Sequence, residues 1–389
     1  MTSDQAMRAS DHDRERAAEV LRDAYAVGRL DLEEFHDRAG AAYSAKTWGE
    51  LRHLTADLPA WRLPGQGEHD ADSSTAPERP GTTPQRPFAF IWVMPVIWLA
   101  IAAARVFGKP LLLTTDATAL DPRHGARWRA ALKNGLLLPY LYRRVADLVL
   151  VPSTASRRFV RSLGVPADRV VLTPYVVDND AIAAAAARAE RNRVRKRWQI
   201  PEDAVVLMCC AKFLPRKRPH DILEAFAQAN VPNSHLLMVG DGPLADSLKT
   251  GANRLGVGDR VHFPGLVKYS ALPEHYVASD ALILASEHEP YGLPVNEAMV
   301  CGVPAIVSDR VGAGYDLVEH GKTGLVYPCG DVDALAGLLS EALRDSDTLR
   351  RMGEAARRRM ESWSPRENAD AIVRAVETAI ALRQPRAGA

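Results

Sequence analysis

The stretch "DALILASEHEPYGLPVNEAMVCGVPAIVSD", Asp280 to Asp309, decides the fold. It opens on DALILAS, an apolar run too short for a helix and suited to a strand buried on both faces. A loop dense in Glu, Gly and Pro follows. Pro294 to Cys301 then read as a helix, with Pro294 where a first helical turn tolerates it. PAIVSD is a second buried strand. Strand, loop, helix and strand in about thirty residues make a parallel βαβ unit.

Outward from this unit the alternation repeats. AVVLMCCAKFL, SHLLMVGDGP, RVHFPG and TGLVYP are short strands, and Pro219 to Asn230, Leu244 to Leu255 and Leu272 to Ala278 read as helices between them. Upstream, PLLLTTD, ADLVLVPS and RVVLTPYVVDND are strands, with Trp128 to Tyr142 helical between the first two. Helical stretches Val332 to Leu343, Thr348 to Ser362 and Pro365 to Leu382 close the chain. This is the pattern of an α/β protein with a doubly wound parallel sheet.

The 389 residues leave room for two or three domains. Hydrophobic residues make up 47% and charged residues 25%, as in ordinary soluble proteins. A net charge of +1 provides no field for nucleic acid. Cys209, Cys210, Cys301 and Cys329 show neither CxxC spacing nor a His cluster, so they read as buried thiols of a reduced, cytoplasmic protein, with no metal site. The first residues lack the apolar core of a secretory signal.

Residues 1–62 form a separate helical unit. Ser10, Asp31 and Thr47 each stand at N-cap positions, and Asp31/Glu34 and Thr47/Glu50 have capping-box spacing. Residues 63–87 are rich in Pro, Gly, Ser and Thr and read as a disordered linker. The run FAFIWVMPVIWLAIAAA, Phe88 to Ala104, admits two readings. It is a strand, a Pro turn and a helix ended by Gly108, or a short membrane span.

In doubly wound sheets ligands bind beyond the carboxyl ends of the strands. Lys212, Arg216, Lys217 and Arg218 follow one strand, Gly240, Asp241 and Gly242 the next, and Gly265 and Leu266 the third. Ser286, Glu287 and Glu289 follow the fourth, and Ser308, Asp309 and Gly312 the fifth. Cations suit a diphosphate, glycines let backbone N–H groups approach it, and the helix N-terminus after Gly292 adds donors. Glu289 and Glu297, with seven residues between them, suit vicinal sugar hydroxyls. Taken singly, PRKRP reads equally as an exposed loop, GDGP as a turn and Glu297 as a helix-dipole partner. Their conjunction on one sheet edge describes a nucleotide-sugar site.

Two resemblances follow. Met7 to Pro59 resemble the SHOCT-like domain of unknown function found at the N-termini of bacterial proteins, often beside membrane segments. AKFLPRKRPHDILEAF, MVGDGPL, HFPGLV and the run from Glu289 to Asp331 resemble the donor domain of GT-B retaining glycosyltransferases of family 4 (group 1). That resemblance extends from about Lys109 to Leu382. It implies a Rossmann-like donor domain over 178–365, a truncated Rossmann-like acceptor-side domain over 88–177, and a C-terminal helix and tail over 366–389. The N-terminal unit is all-α. It further implies transfer from a nucleotide-diphosphate sugar to an unknown acceptor with retention, without cofactor or metal. Glu289 is then expected against the transferred sugar, Glu297 on the ribose, and Lys212 and Lys217 on the diphosphate. Gly265, Leu266 and Val267 are expected near the base, and Gly240, Gly242, Tyr291, Gly292, Leu293 and Pro294 complete the donor site. Asp178 and Asp180 imitate a metal-binding DxD but resemble the family's hinge.

The chain also departs from the family. The first β–α units of the acceptor domain are missing, Asp116 stands where many relatives have His, and Ala211 replaces a glycine. These departures keep an alternative open: a catalytically impaired nucleotide-sugar-binding fusion. Association with the inner face of the membrane is a further expectation.

Overall fold

The computed structural model describes residues 7–26, 29–30, 32–58, 98–118 and 137–383. The chain divides into two compact units, Met1–Lys109 and Pro110–Ala389.

In the first unit, helices Asp11–Ala26, Leu32–Ser44 and Trp48–Leu54 pack around Ala17, Leu21, Ala42 and Leu51. The expected caps form where they are described. The Ser10 hydroxyl accepts from the Asp13 amide at 3.2 Å, and the Thr47 hydroxyl accepts from the Glu50 amide at 3.4 Å. Asp31, the linker 63–87 and the apolar residues 88–97 lie outside the described residues. Residues 98–106 are helical, and Gly108, at φ +60°, follows as the expected stop. Trp98, Leu99, Val106 and Phe107 are exposed on this segment. Among the described residues no helix is long and apolar enough to cross a membrane.

Among the described residues the second unit holds two parallel sheets. Strands β1 (Leu112–Thr114), β2 (Leu148–Val151) and β3 (Val170–Leu172) pair in the order β1-β2-β3. Of the helix expected over 128–142, the end is described, as Leu138–Tyr140 continuing into a wider turn over Leu141–Val145. Residues 119–136 lie outside the described residues.

The larger sheet contains β4 (Val205–Cys210), β5 (Ser234–Val239), β6 (Val261–Gly265), β7 (Ala281–Leu284), β8 (Ala305–Ser308) and β9 (Gly324–Tyr327). Its order is β6-β5-β4-β7-β8-β9. Both neighbours of β4 run parallel to it, with Met208 opposite Leu237 on one side and Leu282 on the other. Successive strands step outward from β4 to β6, and the chain then returns to β7 on the other side of β4. The order reverses there, so a crevice opens between the carboxyl ends of β4 and β7.

Alternate residues of these strands feed two cores, as an α/β sandwich requires. Met208, Leu237 and Leu282 face Val295 and Met299 of the helix Leu293–Val300. Leu207, Leu236 and Ile283 face Ile222 and Phe226 of the helix Pro219–Ala229. The strand residues on both faces are 0% exposed, which is why their sequences read as continuous apolar runs.

The small sheet joins the large one through residues 173–178. The Tyr175 carbonyl accepts from the Tyr291 hydroxyl (2.9 Å), the Asn296 amide (3.1 Å) and the Trp363 indole (2.9 Å). Asp178, half of the DxD look-alike, caps the helix Asn179–Arg188 by accepting from the Ala181 amide at 3.0 Å. The last helix, Pro365–Arg383, packs Ala375 and Ala379 against Leu148, and Arg383 forks onto Asp147 at 2.9 and 3.0 Å.

Candidate functional site

The crevice is built first by the loop after β4. Residues Pro215–Lys217 form one 3-10 turn, and Arg218 at φ +49° turns the chain into the helix Pro219–Ala229. This loop is tied to the loop after β7. The Glu287 amide donates to the Arg216 carbonyl at 2.9 Å, and the Arg216 guanidinium donates to the His288 carbonyl at 3.3 Å. The tie brings the Lys217 ammonium into contact with the Glu289 carboxylate, and the Ser286 hydroxyl reaches the same oxygen at 3.4 Å. Both charged side chains are largely buried. Burial, followed by the nearby Arg216 and Lys212, pushes the Lys217 ammonium down to about 8. Lys212 is exposed at the mouth.

Gly240 and Gly242 follow β5 at φ +135° and +153°. A Cβ on Gly240 would sit 1.9 Å from the Ala211 carbonyl oxygen, and one on Gly242 2.7 Å from that of Phe213. These glycines therefore let the β5 loop lie on the β4 loop, a packing role beside the expected ligand approach. The two loops are stitched by the Phe213 amide donating to the Asp241 carbonyl at 2.9 Å. Gly265, at φ +75°, has open space where its Cβ would be, and its carbonyl accepts from the Gly240 amide at 2.9 Å. Leu266 is exposed, and Val267 packs partly into the core.

After β7, the loop carrying Glu289 runs beside the segment after β8, with the Gly312 amide donating to the Glu289 carbonyl at 3.0 Å. Gly292, at φ +104°, turns the chain into the helix Leu293–Val300, with Leu293 exposed and Pro294 in the first turn. Tyr291 is buried, and its hydroxyl is committed to the Tyr175 carbonyl. Glu297 is also buried, and it accepts from the Tyr276 hydroxyl at 2.7 Å. Burial raises the Glu297 carboxyl above its usual range, with the Tyr276 hydrogen bond opposing. Burial also pushes the flanking Cys210 and Cys301 thiols up to about 12, with the Glu297 charge adding to both. Glu287 is exposed on the rim.

The structure thus gathers Lys217, Ser286 and Glu289 at one point, with the Lys212 charge near Lys217. It places Tyr291 in the hinge and Glu297 against Tyr276. Sequence reasoning missed Tyr276, whose place in an apolar helix reads as plain core. It also missed Asp316, whose carboxylate accepts from the Thr154 amide (2.8 Å) and hydroxyl (2.5 Å). No local pattern marks a cap supplied from 162 residues away. Beside this clasp a cavity of about 170 Å³ separates the small sheet's helix Thr154–Ser162 from the loops after β7 and β8.

Two small parallel α/β sheets in tandem, with a crevice at the second sheet's switch point, define a GT-B type fold. Solved structures agree. The Anabaena protein HepE in complex with UDP superposes at TM-score 0.61 with 23% identity, over 72% of this chain and 75% of that one. Sucrose-phosphate synthase from Thermosynechococcus elongatus superposes at 0.59 with 24% identity, over 73% and 71%. Among the described residues the part carrying the larger sheet is Rossmann-like, the smaller sheet has three strands, and the N-terminal unit is all-α. The family model for glycosyl transferases group 1 matches residues 190–359, and that for the DUF1707 SHOCT-like domain matches 7–59.

The chain belongs to the group 1 glycosyltransferases. It is 32% identical over 371 residues to the GDP-mannose-dependent alpha-(1-6)-phosphatidylinositol monomannoside mannosyltransferase of Mycolicibacterium smegmatis, covering 86% of this chain and 94% of that one. It is 35% identical over 171 residues to the N-acetyl-alpha-D-glucosaminyl L-malate synthase of Bacillus anthracis, covering 44% of each. The corresponding mannosyltransferase of Mycobacterium tuberculosis is 33% identical over 229 residues, covering 55% of this chain and 58% of that one. The chain thus spans about half the length of these last two relatives.

Proposed function

We propose that this chain transfers a sugar from a nucleotide-diphosphate sugar to an acceptor hydroxyl, with retention and without a metal. The observation that carries the reading is the contact of Lys217 with Glu289 at the switch-point crevice. A cation and a carboxylate held together there match a substrate that presents a diphosphate next to sugar hydroxyls. Lys217 and Lys212 neutralise the diphosphate, and the N-terminal turn of Leu293–Val300 adds amide donors. Glu289 exchanges its lysine for the sugar hydroxyls and positions the ring. Tyr276 takes Glu297 Oε2, leaving Oε1 for the ribose. Gly265, Leu266 and Val267 border the base.

In the reaction, the anomeric carbon's bond to the diphosphate oxygen breaks. A bond to the acceptor oxygen forms on the same face, and the acceptor proton passes to the leaving phosphate oxygen. The charge that develops on that oxygen is what Lys217 stabilises.

The test is release of nucleoside diphosphate from UDP-, GDP- and ADP-sugars by the full chain with a panel of hydroxyl acceptors. Turnover by the wild type that is lost in Glu289→Ala supports the reading. The acceptor-side sheet, three-stranded among the described residues, favours a second reading, a nucleotide-sugar binder without transfer. Donor binding with no turnover on any acceptor would establish that one instead.

A further inference from the structure

We propose that residues Tyr175, Tyr291 and Asn296 form a hydrogen-bond switch with two seats for one proton. The Tyr291 hydroxyl donates to the Tyr175 carbonyl in one state and to the Asn296 side-chain oxygen in the other. The switch goes beyond the transferase reading and stands whether or not a sugar is transferred.

The three residues meet where the two sheets join. The Tyr175 carbonyl belongs to the small sheet's side. There the Thr173 amide donates to the Val151 carbonyl at 2.8 Å and the Tyr175 amide to the Pro152 carbonyl at 3.2 Å. Asn368 of the last helix donates to the Pro174 carbonyl at 2.7 Å. Tyr291 and Asn296 belong to the other side, on the loop after β7 and the helix Leu293–Val300. Trp363 stands between, its indole donating to both the Tyr175 carbonyl and the Tyr291 oxygen at 2.9 Å.

Donors and acceptors at this joint do not balance. The Tyr175 carbonyl has two lone pairs, yet Tyr291, Asn296 and Trp363 all donate to it. Asn296 is 0% exposed, and its Oδ1 accepts from nothing. Turning the amide over gives no relief, because it would set Oδ1 against the Tyr175 carbonyl. Burial pushes the Tyr291 phenol above its usual range, and hydrogen bonds with Asn296 and Trp363 oppose that rise, so the Asn296 side chain is within bonding reach of the Tyr291 oxygen. Asn179 repeats the pattern at the end of the same segment. Its amide donates to the Met360 and Trp363 carbonyls at 3.0 and 3.2 Å, while its buried Oδ1 has no partner. Among the described residues four buried side-chain polar atoms lack a partner, and two of them are here, so the deficit is concentrated at the joint.

That imbalance brings two states close in free energy. With the Tyr175 carbonyl seated, it is oversupplied and Asn296 Oδ1 keeps its full desolvation cost. When the carbonyl withdraws, the Tyr291 hydroxyl turns to Asn296 Oδ1 and the Trp363 indole keeps the Tyr291 oxygen. Tyr175 is already 42% exposed, so water takes its carbonyl and follows to the Asn296 N–H. The bond gained at Oδ1 offsets those given up, and the joint has two discrete arrangements instead of one pinned position. Because Tyr291 lies two residues from Glu289, the switch ties the joint to the loop of the candidate site.

The experiment is relaxation-dispersion NMR on the Trp363 indole N–H of the full chain, its signal assigned by its loss in Trp363→Phe. Thermal unfolding is run on every variant. The wild type should show exchange between two states on the microsecond-to-millisecond scale. Asn296→Asp replaces the amide donor with a second acceptor and should raise the minor population at least about fivefold. Asn296→Leu removes the second seat and Tyr291→Phe the proton that moves, so each should flatten the dispersion whatever its melting temperature. If Asn296→Leu does not fold, Tyr291→Phe reads the same claim. The switch is overturned by a flat profile in the wild type, by dispersion that Asn296→Leu or Tyr291→Phe leaves unchanged, or by an Asn296→Asp population equal to that of the wild type. A joint in which a fixed water satisfies Asn296 Oδ1 would give the first of these results, with variants that lose stability and nothing else.

Discussion

The Tyr276 hydroxyl donates to the Glu297 carboxylate at 2.7 Å, and both residues are buried. A buried carboxylate deprived of its donor keeps its desolvation cost and loses the compensating bond. Tyr276→Phe should therefore lower stability by about 1–3 kcal/mol, measured by urea unfolding. A change within a few tenths would mean that the carboxylate is satisfied some other way.

Lys217 ties the donor site to pH. Its ammonium is pushed down to about 8 in the free protein, and a bound diphosphate favours the charged form. Below pH 8 the lysine is charged before the ligand arrives. Above it, binding must take up a proton, so donor affinity should fall as pH rises through 8, by up to about tenfold per unit. Lys217→Arg keeps its charge throughout and should flatten that slope. Calorimetric titrations at pH 7, 8 and 9 read both.

Gly240 allows the β5 loop to lie on the β4 loop. Gly240→Ala places a methyl 1.9 Å from the Ala211 carbonyl oxygen at a φ of +135°. The loops must part or the backbone must leave that conformation, at a cost of at least about 2 kcal/mol. Thermal unfolding should show the loss, and nucleotide binding should weaken with it because the Lys212–Lys217 loop moves. A stable variant with normal binding would contradict the packing role.

Asp316 clasps the two halves of the second unit. It satisfies the Thr154 amide in the first turn of Thr154–Ser162, where a helix has no partner of its own. Asp316→Ala should cost about 1–2 kcal/mol and speed hydrogen exchange at the amides of that first turn. Donor affinity should stay as in the wild type, because the residue lies outside the β4–β7 crevice.

Most of the larger sheet was legible in the sequence because its strands are buried on both faces. A run such as Val205–Cys210 carries that burial openly as continuous apolar residues, and Pro219 and Pro294 mark the helix starts. Glu289 and Lys217 were legible as residues of the loops past strand ends, and Gly265 as a residue at the end of one. The sequence did not disclose what each side chain meets. Glu297 reads as a hydroxyl acceptor on a helix, yet Tyr276 reaches it from another helix 21 residues away. Tyr291 reads as part of the donor site, yet its hydroxyl is spent on the hinge at Tyr175. Gly242 reads as a ligand contact, yet its missing side chain makes room for Phe213. Such pairings depend on how separate elements pack, and local pattern does not encode that.

The central claim is that the β4–β7 crevice holds a nucleotide-diphosphate sugar through Lys217 and Glu289. Calorimetric titration of the full chain with UDP-, GDP- and ADP-sugars, repeated on Lys217→Ala, tests it most directly. The account predicts saturable binding of at least one donor, weakened about tenfold or more when the buried charge is removed. Absence of binding by all of them at millimolar concentration, or binding unaffected by Lys217→Ala, would contradict it.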